Sequence, residues 1–205
     1  MSRNRGKTKP KLRDLSEQPL TFEEQGALLD ALVAATPPIV TAILGAVMVE
    51  HELETSLRRK LPRKDDKTWL GMLEERGPYS TFSRKITAGH ALRLYDDAFQ
   101  ANLDIIRTIR NAFAHSKRVI DFSHPLVTAQ LERIVVPNFK KKRFREIKKL
   151  ADGLSTYRSL CILSATWLIT RRTKSMNASI KRPRKPKNYL SFYNCLLYTS
   201  DAADE

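Results

Sequence analysis

From Leu150 to Leu168 the apolar residues fall at helical spacing: Leu150, Leu154, Tyr157, Leu160, Cys161, Ser164, Trp167 and Leu168 share one stripe. This stripe predicts one long helix from about Phe144 to Thr173, with Gly153 as its weakest point. A chain of 205 residues with only 7 glycines has few sites for the tight turns that a sandwich or barrel requires. The expected fold is therefore all-α. It is a compact bundle of about five to seven helices between basic, flexible N- and C-terminal tails.

Start signals place the other helices. Thr21-Phe22-Glu23-Glu24 reads as a capping box, opening a helix from Phe22 to about Ala35. Pro37-Pro38 breaks it, and Pro38 suits the first turn of the next, which runs to about Leu61. The apolar first half of that helix (Ile39, Val40, Ile43, Leu44, Val47, Met48) predicts burial, and its charged second half predicts a solvated end. A short helix over Thr68–Glu75 ends at Gly77-Pro78. Ser80 is the expected cap of a helix from Thr81 to about Leu94. Asp96 and Asp97 begin a helix running to about Ala114, because acids suit the positive helix start. Pro125 opens another, to about Ile134.

Residues 1–20 are polar, basic and aperiodic, and are expected to form a flexible arm; 21–175 form the helical domain, and 176–194 a basic tail. The last eleven residues, Cys195 to Glu205, contain no Lys or Arg. They resemble the conceptual translation of a transposase-end sequencing adapter, so 195–205 is set aside as an adapter-derived artefact. That leaves Cys161 as the one cysteine to consider, without zinc or redox spacing; no metal and no cofactor is expected. The start of the chain lacks the apolar core of a signal peptide, and the run Leu160–Ile169 is too short to span a bilayer. No membrane association is expected, and the cytoplasm is the default location.

Lys plus Arg number 37 against 22 acids, a net charge of +15. Such a field attracts polyanions, so DNA or RNA is an expected partner. The candidate contacts are Arg107, the run Lys140, Lys141, Lys142, Arg143 and Arg145, and the tail residues Lys181, Arg182, Arg184 and Lys185. Phe139 and Phe144 interleave with the first run, and Tyr189, Phe192 and Tyr193 follow the second, a pattern suited to single-stranded nucleic acid. A solvated helix face and a polar tail explain the same charges.

The helix from Asp97 carries the residues with most chemistry. At about 100° per residue, Ile105, Ile106, Ile109, Ala112 and Phe113 form one stripe, while Arg107, Arg110, Asn111 and His115 gather opposite. In one reading His115 is a general acid or base, Arg110 stabilises a phosphate, and Asn111 orients His115. A symmetric dimer would bring two such faces together. In the other reading His115 serves the helix C-terminus, and the arginines form surface ion pairs.

Arg110-Asn111-Ala-Phe-Ala-His115 resembles the motif of the HEPN superfamily (higher eukaryotes and prokaryotes nucleotide-binding). That resemblance implies metal-independent RNA cleavage by Arg110 and His115 at a dimer interface. The longer stretch with Gly77-Pro78, Phe82, Arg84 and Ile86, followed by Ile106-Arg107-Thr-Ile-Arg110-Asn111 and His115, is similar to the mannitol operon repressor family. It spans roughly Val47 to Ser116 and implies an all-helical, non-enzymatic regulator acting through protein or nucleic-acid contacts. The two expectations are such a regulator, as a homodimer, and a HEPN-type ribonuclease of a toxin or phage-defence system.

Other signals read as structural. Glu50, His51, Glu52 and Glu54 lack metal-binding spacing and are expected as surface charge. His90 is expected in the core or an interface, His124 in a loop, and Trp69 and Trp167 as packing anchors.

Overall fold

The computed structural model describes residues 21–33, 37–61, 65–74, 76–137, 141–147, 149–150 and 152–179. Among these residues the fold is all-α, with eight helices and no strand. They are α1 (Phe22–Val33), α2 (Pro38–Lys60), α3 (Asp66–Leu73), α4 (Phe82–Ala91), α5 (Asp97–His115), α6 (Pro125–Glu132), α7 (Lys141–Ile147) and α8 (Gly153–Ser179). The expected basic tails, 1–20 and most of 176–194, lie outside the described residues, as does 195–205.

Local chemistry sets the helix starts. The capping box forms in full: Thr21 N–H donates to Glu24 Oε2 at 2.7 Å, and Glu24 N–H donates to Thr21 Oγ1 at 3.2 Å. Pro38 and Pro125 occupy first turns, where their missing N–H costs nothing. Asp96 accepts from Phe99 N–H at 2.9 Å and opens α5. The cap of α4 is Thr81 rather than Ser80: Thr81 Oγ1 accepts from Arg84 N–H at 3.2 Å, while Ser80 Oγ takes Arg84 Nη1–H at 2.8 Å.

The long final helix is in fact two. The chain leaves α7 through a turn, with Lys149 N–H on Glu146 O and Leu150 N–H on Ile147 O. Asp152 then caps α8, its Oδ1 accepting from Ser155 N–H at 2.9 Å. Aspartate is a better cap than helix-interior residue, so the chain restarts there. Gly153 makes a close approach possible: a Cβ at this position would lie 2.5 Å from the Phe122 carbonyl oxygen.

The bundle is organised around α2. Tyr157 Oη donates to the Ala42 carbonyl at 2.7 Å, and Arg172 reaches Glu52 farther along, so α8 runs parallel to α2. Phe99 packs against Trp167 with ring centroids 4.4 Å apart, while Phe113 joins Tyr157 through Phe122, so α5 runs antiparallel to both. Gly45 lets α8 approach, since a Cβ there would sit 2.9 Å from Cys161 Sγ. Burial pushes the Tyr157 phenol and the Cys161 thiol upward, so both stay protonated and Cys161 is inert. Trp69 and Trp167 are buried core anchors, as expected. Every helix places at least one side chain in one continuous core.

Two expectations are corrected here. The burial expected along α2 is redistributed. Glu52, Leu53, Ser56 and Leu57 of its second half are buried, because α8 and α4 supply countercharges and cover, and Arg59 and Lys60 are exposed at its end. Of the apolar residues named in its first half, Met48 is buried, Val40, Ile43 and Leu44 are half-buried, and Ile39 and Val47 are exposed. On α5 the buried stripe is Phe99, Asn102, Leu103, Ile105, Ile106, Ile109 and Phe113, and Ala112 is exposed at its edge.

Candidate functional site

The polar face of α5 meets a charged seam on α2. Glu50 and Glu54 lie one turn apart on α2, so both carboxylates project along one side. Lys85 of α4, 7% exposed, bridges them: Nζ donates to Glu50 Oε1 at 2.8 Å and to Glu54 Oε2 at 2.9 Å. Burial pulls the Lys85 ammonium down, but the two carboxylates and their hydrogen bonds outweigh it and raise its pKa. Arg110 of α5 approaches the other oxygen of Glu50, Nη2 to Oε2 at 3.5 Å. Its Nη1–H donates to Asn111 Oδ1 at 3.0 Å.

The sequence-predicted trio is therefore distributed unequally. Arg110 is half-buried and engaged by Glu50 and Asn111. The side-chain carbonyl of Asn111 is occupied by Arg110, so the contact seen is with Arg110 rather than an orienting bond to His115. His115 is the last residue of α5 and is exposed. Arg107 is partly exposed and paired along its own helix, Nε to Asp104 Oδ1 at 3.1 Å.

The basic run is only partly described. Lys142 and Arg145 are exposed, and Arg143 is half-buried and engaged. Lys141 begins α7. Lys140, Lys181, Arg182, Arg184 and Lys185 lie outside the described residues. His90 is not a core residue: it is half-exposed at the α4–α5 corner, with Nε2 2.7 Å from Asp97 Oδ1. His124 is more than a loop residue. It caps α6, its Nδ1 accepting from Leu126 N–H at 3.3 Å.

The Glu50–Glu54 group is likewise not plain surface charge. A second ion pair lies on the opposite side of α2: Arg172 Nη1 is 2.7 Å from Glu52 Oε2, and the Glu52 side chain is 3% exposed. His51 is half-buried beside it, with Gln25 Nε2 at 3.4 Å. Gln25, His51 and Glu52, with Leu28, Met48, Ala165 and Ile169, line a small cavity with room for about one water. Burial lowers the His51 pKa; Glu52 opposes this, and Arg172 and Lys85 reinforce it. His51 thus binds fewer protons folded than unfolded. Its neutral form is compatible with the fold above the ordinary imidazole pKa, and stability falls as pH drops below that value. Thermal melts are expected to show a midpoint that declines from about pH 7 to about pH 5. A His51→Gln variant is expected to flatten that decline, and an equal decline in both proteins would place the titrating group elsewhere.

Sequence reasoning missed Lys85 as the bridging cation. The available signal was the one-turn spacing of Glu50 and Glu54, which asks for a countercharge without naming it. Among the described residues no group of His, Cys, Asp and Glu is placed to hold a metal ion, and no helix is long and apolar enough to cross a membrane. Comparison with protein-family models, curated proteins and solved structures finds no match.

Proposed function

We propose that this chain is a non-enzymatic regulatory protein that works as a homodimer by binding other macromolecules, as its likeness to the mannitol operon repressor family implies. One observation carries the reading. Arg110, the residue a ribonuclease would need for phosphate, is already engaged by Glu50 and Asn111, and Glu50 is shared with the buried Lys85. An arginine held against a carboxylate of its own chain supports helix packing and offers little free charge to a transition state. Self-association is supported by α2, where Ile39 and Val47 are exposed and Ile43 half-buried at four-residue spacing.

A metal-independent HEPN-type ribonuclease is the second reading. It is favoured by the exposed imidazole of His115, available to act as an acid or base, and by the partial exposure of Arg110. RNA incubated with the protein in EDTA separates the two, with sedimentation recording the oligomeric state of the same sample. The expected result is a dimer that cleaves neither single-stranded nor structured RNA. Cleavage lost in both Arg110→Ala and His115→Ala would instead establish the ribonuclease.

A further inference from the structure

The described residues of 116–137, 141–147 and 149–150 form a layer over α5 and α8. Phe122 sits between Phe113 and Tyr157, at 4.8 and 5.1 Å. The Asn102 side chain clamps Val135, Nδ2–H donating to its carbonyl at 2.8 Å and Oδ1 accepting its N–H at 2.9 Å. Leu131 packs over Gly153, and Ile147 is buried. The layer is thus pinned at several points along its length.

Its outer side is basic. Lys117, Arg118, Arg133, Lys142, Arg145 and Lys149 are all exposed. None of the six forms an ion pair among the described residues, unlike Lys85, Arg107, Arg110 and Arg172. The acids in the layer are fewer: Asp121, Glu132 and Glu146. Asp121 is engaged by Ser123, accepting its N–H at 2.9 Å and its hydroxyl at 2.7 Å. Elsewhere, α1, α3 and the turn after α3 expose acids and bases together: Glu23, Glu24, Asp30, Asp66 and Glu74 beside Lys67 and Arg76.

We infer that this basic layer is a binding surface for the phosphodiester backbone of nucleic acid. The inference rests on the binding-protein reading and names the partner's chemistry. Exposed Lys and Arg on a pinned framework lose little order on binding, and they gain by releasing counterions from a polyanion. The net charge of +15 for the whole chain adds long-range attraction of the same sign. Both a DNA duplex and an RNA helix carry the required backbone. Val119, Leu126, Val135 and Leu150 are also exposed in this layer, so an acidic amphipathic peptide is the rival occupant. Six exposed cations, none of them in an ion pair among the described residues, against four separate exposed aliphatics favour the phosphate backbone.

Anisotropy titration of the full chain with a labelled DNA duplex, and separately with an RNA hairpin, over a salt series tests this. The triple variant Lys142→Ala, Arg145→Ala, Lys149→Ala and the double variant Lys117→Ala, Arg118→Ala are each expected to bind about tenfold more weakly at moderate salt. The slope of log affinity against log salt should fall by about 0.9 for each duplex phosphate that is no longer neutralised. Lys67→Ala with Arg76→Ala, on the α3 side, should leave affinity and slope unchanged. The nucleic acid bound more tightly by the parent identifies the source of the backbone. Parent-like affinity and slope in both layer variants would overturn the assignment. So would a parent that ignores both nucleic acids and binds an acidic amphipathic peptide. RNA cleavage in the same titrations would defeat the non-enzymatic reading while leaving the surface standing.

Discussion

Replacing Lys85 with methionine is expected to destabilise the protein by about 3 kcal/mol, near the lower end of the cost of orphaning buried charges. Lys85 is 7% exposed and is the direct bridge between Glu50 and Glu54. Without the ammonium, two carboxylates one turn apart repel each other, and Arg110 at 3.5 Å is the countercharge left. The lower end of the range applies because the glutamates are 19% and 24% exposed, so water relieves part of the penalty. For a chain of this size the melting temperature should fall by roughly 6–12 °C. Adding Glu50→Gln and Glu54→Gln to Lys85→Met should recover part of that loss, since the unpaired charges are then gone. Urea and thermal melts of the parent, the single variant and the triple variant check both statements; a midpoint unchanged in Lys85→Met would show that water already compensates these charges. The pH dependence has a definite sign. The folded-state pKa of Lys85 is raised, so its contribution is complete at neutral pH and is lost only as pH rises through that raised value, above the ordinary 10.5.

This network also decides how the polar face of α5 is to be understood. A helical wheel correctly separates Arg107, Arg110, Asn111 and His115 from the buried stripe, because that separation depends only on residue spacing. It does not say that Arg110 shares a carboxylate with a lysine from α4, since Glu50 and Lys85 are brought together by tertiary packing. The arginine's neighbours, more than its motif, set what it can do. His115 stands exposed at the end of the helix, and the motif leaves its chemistry open.

The same division runs through the fold. Several helix starts are legible from local signals, as at Thr21 and Glu24, Pro38, Asp96 and Pro125. Neighbouring cap candidates compete at α4, which takes Thr81 rather than Ser80, and at α3, which starts on Asp65 rather than at Thr68. The break before α8 was not, because the apolar stripe continues past it while Asp152 and the close approach of Gly153 to Phe122 decide the matter. Burial of Glu52 was also illegible: its partner Arg172 lies 120 positions later. Of the basic layer, Lys142 and Arg145 stood out as part of a charge run. Lys117, Arg118 and Arg133 did not, since folding rather than sequence places them in the same layer.

Truncating Phe99 to alanine should be as damaging as any single change in the core, at about 3–5 kcal/mol. Phe99 is fully buried, with its ring 4.4 Å from Trp167 and 5.3 Å from Tyr95. The aromatic contacts add to the area that it buries. Little can collapse into the space: Tyr95 is tethered by its hydroxyl, which donates to the Ile86 carbonyl at 2.7 Å, and Trp167 is carried on the long helix α8. A cavity that cannot close retains the larger cost. Because Phe99 fixes the first turn of α5 to α8, its loss should also loosen the helix that carries Arg110, Asn111 and the Asn102 clamp on the basic layer. Phe99→Leu, which refills much of the volume, should retain most of the stability. Hydrogen exchange along α5, read beside the urea melts, checks the coupling. Faster exchange in Phe99→Ala at Asn102 and at Val135, whose amide is held by the clamp, is the expected result. Protection at Val135 equal to the parent's would show that the basic layer is held independently of this ring.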